Sequence, residues 1–188
     1  MNKYTLFRLT GTLLLAVTLA TSGCSTITGS NGYGTRTSYA IDQDTQTARM
    51  LWDSIRATDS LDNTHINVDV YNGFALLTGQ VGTEAQKGQA GELATHLNGV
   101  RHLRNELSVE PNSSTQQRLQ DTWITSRVKA RITASNHINS DRVRVLTENS
   151  TVYLMGMVRA SEADYLVRLV SQTSGVKRIV KAFEYLGV

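Results

Sequence analysis

The chain contains a single cysteine, Cys24, and the residues in front of it suggest a chemistry for its thiol. An apolar run of about twelve residues, Leu9 to Ala20, is preceded by Lys3 and Arg8 and followed directly by Thr21-Ser22-Gly23. This is the layout of a secretory signal, and the run is too short to span a bilayer as a stable helix. A lone cysteine in an exported chain has no partner for an internal disulfide, so it is either a free thiol or a modified residue.

A second candidate site lies on a helix predicted over residues 117–134. Three apolar residues at helical spacing form its predicted core stripe: Ile124, Val128 and Ile132. Trp123, Arg127 and Arg131 form another stripe about 100° around the helix, with Lys129 between the two arginines. An indole suits the headgroup boundary of a membrane, and arginine pairs well with phosphate. The alternative is that Trp123 folds over the edge of the core and the basic residues form a solvated face.

Metal binding and covalent catalysis are not expected. The four histidines share no ligand spacing: His65, His96, His102 and His137. The sequence has no Gly-x-Ser-x-Gly elbow and no phosphate-cradling glycine loop. Glu84 and Glu162 each fall in the first turn of a predicted helix, where the helix dipole explains them. Trp52, beside Asp53, is interpreted as a residue at the edge of the core.

These residues belong to a pattern of helix, two strands, helix and strand that occurs twice, with a spacing of about 75 residues. The first copy predicts helices over 45–58 and 84–97, strands around 66–70, 74–81 and 103–109, and a hairpin turn at Asn72-Gly73. The second predicts helices over 117–134 and 162–172, strands around 143–145, 152–158 and 178–186, and a turn at 148–150. Glu84-Ala85 recurs as Glu162-Ala163, and Gly99-Val100 recurs as Gly175-Val176. We interpret the two copies as a true duplication.

The duplicated pattern resembles the BON domain. The resemblance rests on a helix, a hairpin with a buried Gly-x-Val (Gly79 to Val81, Gly156 to Val158), a helix that starts with Glu-Ala, and Gly-Val before a last strand. It implies an α+β fold of two tandem αββαβ domains, each with its helices packed on one face of a small three-stranded mixed sheet. The domains are expected at 45–110 and 115–188.

The segment before the domains resembles the start of a bacterial lipoprotein. Small-small-Cys after an apolar run is similar to a lipobox, although Thr21 stands where that motif usually has Leu or Val. The resemblance implies a signal peptide over 1–23, a covalent lipid on Cys24 as the sole prosthetic group, and a flexible tether over 24–44. Ser25, in place of the aspartate that retains lipoproteins in the inner membrane, implies the outer membrane, with the protein facing the periplasm.

The order of signal, lipid, tether, BON and BON is similar to the DolP family of dual-BON outer-membrane lipoproteins (division- and outer-membrane stress-associated lipid-binding lipoproteins). Asp121 to Thr125 resembles the stretch on which that family places its phospholipid contact. The resemblance therefore implies phospholipid binding at Trp123, a role in outer-membrane integrity and enrichment at the division site. Arg127, Lys129 and Arg131 are added to the site by geometry.

The charges of the two domains differ in sign. Residues 46–110 contain five Arg and Lys against eight Asp and Glu, whereas residues 111–188 contain eleven against six. The second domain should therefore be drawn to an anionic membrane and the first should stand off it. The leading hypothesis is a non-enzymatic phospholipid-binding lipoprotein. The alternatives are an adaptor that docks envelope assembly proteins through the acidic first domain, and a structural spacer. No nucleic-acid partner is expected.

Overall fold

The computed structural model describes residues 34–187, which contain the same five-element unit twice. The first unit consists of α1 (Ser38–Arg56), β1 (His65–Tyr71), β2 (Phe74–Val81), α2 (Glu84–Thr95), β3 (His102–Asn105) and β4 (Ser108–Val109). The second unit consists of α3 (Thr115–Thr133), β5 (Val143–Glu148), β6 (Thr151–Val158), α4 (Ala160–Ser171) and β7 (Arg178–Tyr185). The predicted α+β class is confirmed. The signal segment, Cys24 and the tether up to residue 33 lie outside the described residues.

Each unit folds into a small mixed sheet with the second strand of the hairpin at its centre. In the first, β1 pairs antiparallel with β2, and the broken last strand, β3 and β4, pairs parallel with β2. In the second, β5 pairs antiparallel with β6, and β7 pairs parallel with β6. The outer strands β1 and β5 are therefore bonded on one side only. The predicted order of elements is confirmed in both copies.

The predicted tether is wrong over residues 38–44, because α1 begins at Ser38. The Thr37 hydroxyl caps this helix by accepting a hydrogen bond from the Ala40 N–H at 3.1 Å. Asp44 is buried, and its two carboxylate oxygens accept from the backbone N–H groups of Asn72 at 2.6 Å and Gly73 at 2.8 Å. The start of α1 is thus set by the local Thr37 cap, and Asp44, in the second turn, holds the helix against a turn distant in sequence. Apolar periodicity carries no trace of such contacts.

The second unit repeats this carboxylate clasp. Asp121 accepts from the N–H groups of Asn149 and Ser150, both at 2.8 Å. Asn149 and Ser150 have positive φ angles of 47° and 61°, although neither is a glycine. Their counterparts in the first hairpin, Asn72 and Gly73, also have positive φ. Two successive residues with positive φ define the hairpin turn whose twist matches the strands. Asp44 and Asp121 make the same contact in the two domains and are therefore equivalent residues. Their equivalence defines which positions of α1 and α3 correspond.

The two glycines of the repeated Gly-x-Val are required by close backbone contact. A Cβ added to Gly79 would lie 1.9 Å from the His65 carbonyl oxygen, and one added to Gly156 would lie 2.4 Å from the Arg142 carbonyl oxygen. Any side chain here would separate the hairpin strands, so the sequence echo has a steric cause.

Three apolar layers hold the molecule together. One lies between α1, α2 and the first sheet, and another lies between α3, α4 and the second sheet. The third lies between the two sheets and contains six buried residues: Tyr71, Leu76, Tyr153, Met155, Val180 and Ala182. The result is a four-layer body, with helices outside and the two sheets face to face inside. Burial here raises the pKa of Tyr153 to about 12, and Glu106 adds to the shift.

Some of the charged residues that give the two domains opposite net charge form ion pairs between the domains. Asp69 of the first domain pairs with Arg144 of the second at 3.0 Å. Glu106 of the first domain pairs with Arg178 of the second. The buried Gln80 donates to Glu148 at 2.7 Å. Some carboxylates of the acidic domain therefore serve the interface between the domains.

Candidate functional site

Contacts on one side of α3 determine which of its faces points into the core. Ile124, Val128 and Ile132 are exposed by 0%, 0% and 2%, which confirms the predicted core stripe. Asp121, on the same side, is held by the hairpin turn. Ser114 caps the helix by accepting from the Gln117 N–H at 3.2 Å. The residues on the opposite side are therefore held toward solvent.

Two large apolar side chains lie on this outer side of α3. Trp123 is 48% exposed and Leu119, one turn earlier, is 67% exposed. They are four residues apart and so point within about 40° of each other. The Trp123 ring is not sealed in the core, and Leu119 adds apolar surface beside it.

The structure separates the three basic residues predicted to flank Trp123. The Arg127 guanidinium lies over the indole, 4.5 Å from its centroid, in a cation–π contact. Arg131 turns toward the end of α4 and donates to Gln172 Oε1 at 2.7 Å. Lys129 is exposed on the other flank of α3, about 120° from Trp123. Only Arg127 is brought into contact with the indole.

The positive charge of α3 nevertheless remains available to a ligand. Among residues 34–187, no carboxylate forms an ion pair with Arg118, Arg127, Lys129 or Arg131. Arg127 lies on one side of the Leu119–Trp123 line, and Arg118 and Lys129 lie on the other. An apolar line between basic flanks is the arrangement of a helix that lies in a membrane interface.

The first domain provides an internal comparison. With Asp44 aligned to Asp121, the positions of Leu119, Trp123, Arg127 and Arg131 are occupied in α1 by Asp42, Gln46, Met50 and Ser54. At these four positions α1 thus has neither an aromatic nor a basic residue. The arrangement of Trp123 and Arg127 at this place on the helix is a property of the second domain, and the shared fold does not require it.

The interpretation of Trp52 as a residue at the core edge is wrong. Its side chain is 42% exposed, and the Arg56 guanidinium lies 4.4 Å from the ring centroid. In the aligned repeats Trp52 corresponds to Lys129, so the two tryptophans occupy different flanks of their helices. The sequence alone does not show this, because the register depends on the Asp44 and Asp121 clasps.

Leu119 and Arg118 were not among the predicted site residues. Leu119 lies four residues before Trp123 and off the core stripe, which is the signal that would have identified it. Arg118 lies eleven residues before Lys129 and therefore on the same flank, a spacing that the helix predicted over 117–134 already contained.

The remaining chemistry-bearing groups have structural roles. Glu84 and Glu162 lie in the first turns of α2 and α4, as predicted. Glu162 accepts from the Arg159 N–H at 2.8 Å and pairs with Arg142 at 2.5 Å. In the part of the chain described by the structure, no three His, Cys, Asp or Glu side chains are grouped to hold a metal ion. Over the same residues, no helix combines the length and apolar character needed to cross a bilayer.

Sequence comparisons identify relatives that align over more than half of the chain. The chain is 38% identical to the outer membrane lipoprotein DolP of Haemophilus influenzae over 121 residues, which cover 64% of this chain and 63% of that protein. It is 28% identical to the 21 kDa hemolysin of Actinobacillus pleuropneumoniae, over 78% of this chain and 75% of that protein. These relationships support an outer-membrane lipoprotein.

A comparison with solved structures finds CdsD, a structural protein of the type III secretion system of Chlamydia trachomatis. It is 15% identical, covers 77% of this chain and 64% of that one, and has a TM-score of 0.32, which carries no argument about fold or function. The BON domain model, in contrast, matches residues 43–111 and 120–187, which correspond to the two structural repeats. The chain therefore belongs to the BON-domain family and carries that domain twice, as in the DolP group of lipoproteins.

Proposed function

We propose that this protein is a non-enzymatic outer-membrane lipoprotein, anchored by acyl chains on Cys24, whose second BON domain binds anionic phospholipid through the outer face of α3. Trp123, Arg127, Lys129 and Arg131 form this face, together with Leu119 and Arg118. Its role is to orient the domain on the membrane and to select local lipid, and so to support outer-membrane integrity.

The observation that carries the proposal is the exposed Trp123 ring with the Arg127 guanidinium over it, 4.5 Å from its centroid. A guanidinium without a carboxylate partner is able to bind phosphate, while the indole and Leu119 enter the acyl boundary. The absence of these residue types from the equivalent positions of α1 supports a function specific to the second domain.

The expected strength of the contact is modest. Each basic residue near an anionic membrane contributes about 1 kcal/mol, and partial burial of an indole contributes about 1–2 kcal/mol. The four basic residues and the indole together give about 5–6 kcal/mol, which corresponds to a dissociation constant of about 0.1 mM. Such affinity suffices for a domain already tethered to the membrane, because the tether raises its effective concentration. Two or three acyl chains provide that stable anchor.

The two tryptophans of the chain allow a matched test in the full acylated protein. In proteoliposomes, a Trp52→Phe variant reports on Trp123 alone, and a Trp123→Phe variant reports on Trp52 alone. We expect brominated phosphatidylglycerol to quench Trp123 and to shift its emission to the blue, with little change in phosphatidylcholine vesicles. Trp52 should respond in neither. Arg127→Glu should reduce the quenching of Trp123. Equal quenching of the two tryptophans, or none of Trp123, would contradict the proposal.

A further inference from the structure

The row of residues that carries the proposed lipid face winds around α3 toward its neighbour α4. Leu119, Trp123, Arg127 and Arg131 are spaced by four residues, and each such step turns by about 40° around a helix. The row starts at Leu119, opposite the core stripe, and has turned by about 120° at Arg131. There the Arg131 guanidinium donates to Gln172 Oε1, at the end of α4, at 2.7 Å. The row therefore leads from α3 onto α4.

α4 places an exposed arginine, Arg168, beside this point. The buried side chains of α4 pack in the same apolar layer as those of α3, so the outer faces of the two helices belong to one surface. Two residues of α4 contact the end of α3: Tyr165, which shares a hydrogen bond of 2.7 Å with Ser135, and Gln172. Arg168 lies between these two contacts along the helix and about 40° around it from Gln172, on the solvent side. It therefore borders the groove between α3 and α4.

The charge at this groove is positive. Within residues 34–187, neither Arg131 nor Arg168 forms an ion pair with a carboxylate. The contact of Arg131 is to the neutral amide of Gln172, which leaves the guanidinium charge in place. Asp164, one turn before Arg168, is rotated from it by about 40° in the direction away from α3. Two guanidiniums therefore border the groove, and the carboxylate next to them on α4 points away from it.

The corresponding groove of the first domain lacks these two cations. Helices α2 and α4 align through a buried residue and the positive-φ glycine that follows it at the same distance: Ala94 with Gly99, and Val170 with Gly175. In this alignment Glu92 takes the place of Arg168. In the alignment of α1 with α3, Ser54 takes the place of Arg131. The shared fold therefore does not require a pair of arginines here, and the second domain has acquired it on the side where the lipid face lies.

We infer that the groove between α3 and α4 binds the phosphate of an anionic phospholipid headgroup, with Arg131 and Arg168 as its donors, and that α4 is a second helix in contact with the membrane. A guanidinium donates two parallel hydrogen bonds to phosphate oxygens, so a pair on facing helices holds one phosphate from two sides. The occupant is a lipid, because the groove continues the row of Leu119 and Trp123, whose apolar side chains match the acyl boundary. The inference rests on the proposed function and extends its lipid face from one helix to two.

The test places a fluorescent label on α4 in the full acylated protein, in which the Cys24 sulfur is blocked. A bimane is attached through Ser161→Cys on the outer face of α4, or through Ala85→Cys at the corresponding exposed position of α2. Proteoliposomes contain phosphatidylcholine with a nitroxide on its headgroup, which quenches a label that lies at the membrane surface, and increasing fractions of phosphatidylglycerol. We expect phosphatidylglycerol to increase the quenching of the α4 label and to leave the α2 label unchanged.

Arg131→Gln and Arg168→Gln should each raise the fraction of phosphatidylglycerol needed for half-maximal quenching of the α4 label by about fivefold, the effect of one basic residue near an anionic surface. Arg49→Gln, on the exposed outer side of α1, is the matched control and should leave that fraction unchanged. An equal effect of Arg49→Gln would mean that only the total charge matters, and would overturn the assignment of the groove.

The outcomes separate this inference from the proposed function. If phosphatidylglycerol quenches Trp123 but not the α4 label, the lipid face is confined to α3, and the inference fails while the proposed function stands. If neither responds, both fail. Loss of the quenching in inorganic phosphate, beyond that caused by chloride at equal ionic strength, would identify a site for free phosphate and overturn lipid binding in the groove.

Discussion

At the scale of single residues, the two clasping aspartates determine more of the architecture than any other polar group. Each uses both carboxylate oxygens to accept from two successive N–H groups of a hairpin turn. The first turn has Asn72 and Gly73, whereas the second has Asn149 and Ser150 in the same backbone conformation. Since a left-handed conformation is strained for Ser, the second turn depends more on its clasp than the first.

Asp121→Ala should therefore lower the free energy of unfolding by about 2–4 kcal/mol, because hydrogen bonds to a charged group contribute about 1.5–3 kcal/mol each and two turn N–H groups are left unpaired. Urea unfolding followed by circular dichroism measures the change. Asp141→Ala, an exposed aspartate in the same domain, is the control and should change stability by less than about 0.5 kcal/mol. Similar values for the two variants would show that the clasp has no energetic role.

At the scale of elements, the start of α4 combines two stabilising contacts on Glu162. Partial burial acts to raise the pKa of its carboxyl, but the Arg159 N–H and the Arg142 guanidinium outweigh it and lower the pKa below the usual 4.5. A carboxyl with a lowered pKa in the folded state stabilises the fold above its unfolded pKa. That contribution disappears as the pH falls through the folded value.

Glu162→Gln should thus lower stability at neutral pH by about 1–2 kcal/mol. The variant should also lose less of its remaining stability than the parent when the pH falls from neutral to below 4.5. Thermal unfolding midpoints across this pH range measure both effects. Glu84→Gln removes the acidic group from the first turn of α2, where Glu84 forms no ion pair within residues 34–187, and should be nearly silent. A parallel pH dependence in parent and Glu162→Gln would refute the assignment.

Elements were predicted well where the signal is local. β2 and the core stripe of α3 were placed correctly because strand and helix periodicities depend on neighbouring residues. The start of α1 was missed although Thr37 is a local cap signal. The register of Trp52 was missed because it depends on Asp44 and Asp121 contacting turns far along the chain. Trp123 and Arg127 could be proposed as neighbours from their spacing, whereas the turn of Arg131 toward Gln172 depends on where α4 ends.

At the scale of the whole molecule, the packing of the sheets face to face was not predicted, although the sequence carries a sign of it. β2 and β6 are nearly continuous apolar runs, FALLTGQV and TVYLMGMV. A strand with one solvated face alternates apolar and polar residues, whereas a continuous run indicates a strand covered on both faces. Here helices cover one face and the other sheet covers the second.

This shared layer should make the two domains unfold together. Leu76→Ala, at a fully buried position of β2 that faces the second sheet, should destabilise the protein by about 2–5 kcal/mol through loss of burial and the cavity left behind. Calorimetry should give one transition for the parent and one, at lower temperature, for the variant. Leu119→Ala, at an exposed site, should leave the transition in place. Two separate transitions in the parent would mean that each domain is stable alone.

The four-layer arrangement also determines which charged residues lie close enough to a membrane to interact with it. α1 and α3 lie on opposite outer surfaces of the four-layer body, with both sheets between them. Packed sheets are about 10 Å apart, and ions screen exposed charges beyond about 8 Å at physiological salt. When α3 rests on headgroups, Asp42 on the outer surface of α1 lies beyond both sheets and so more than one screening length away. Its charge is then largely screened from the bilayer and stays open to the aqueous side.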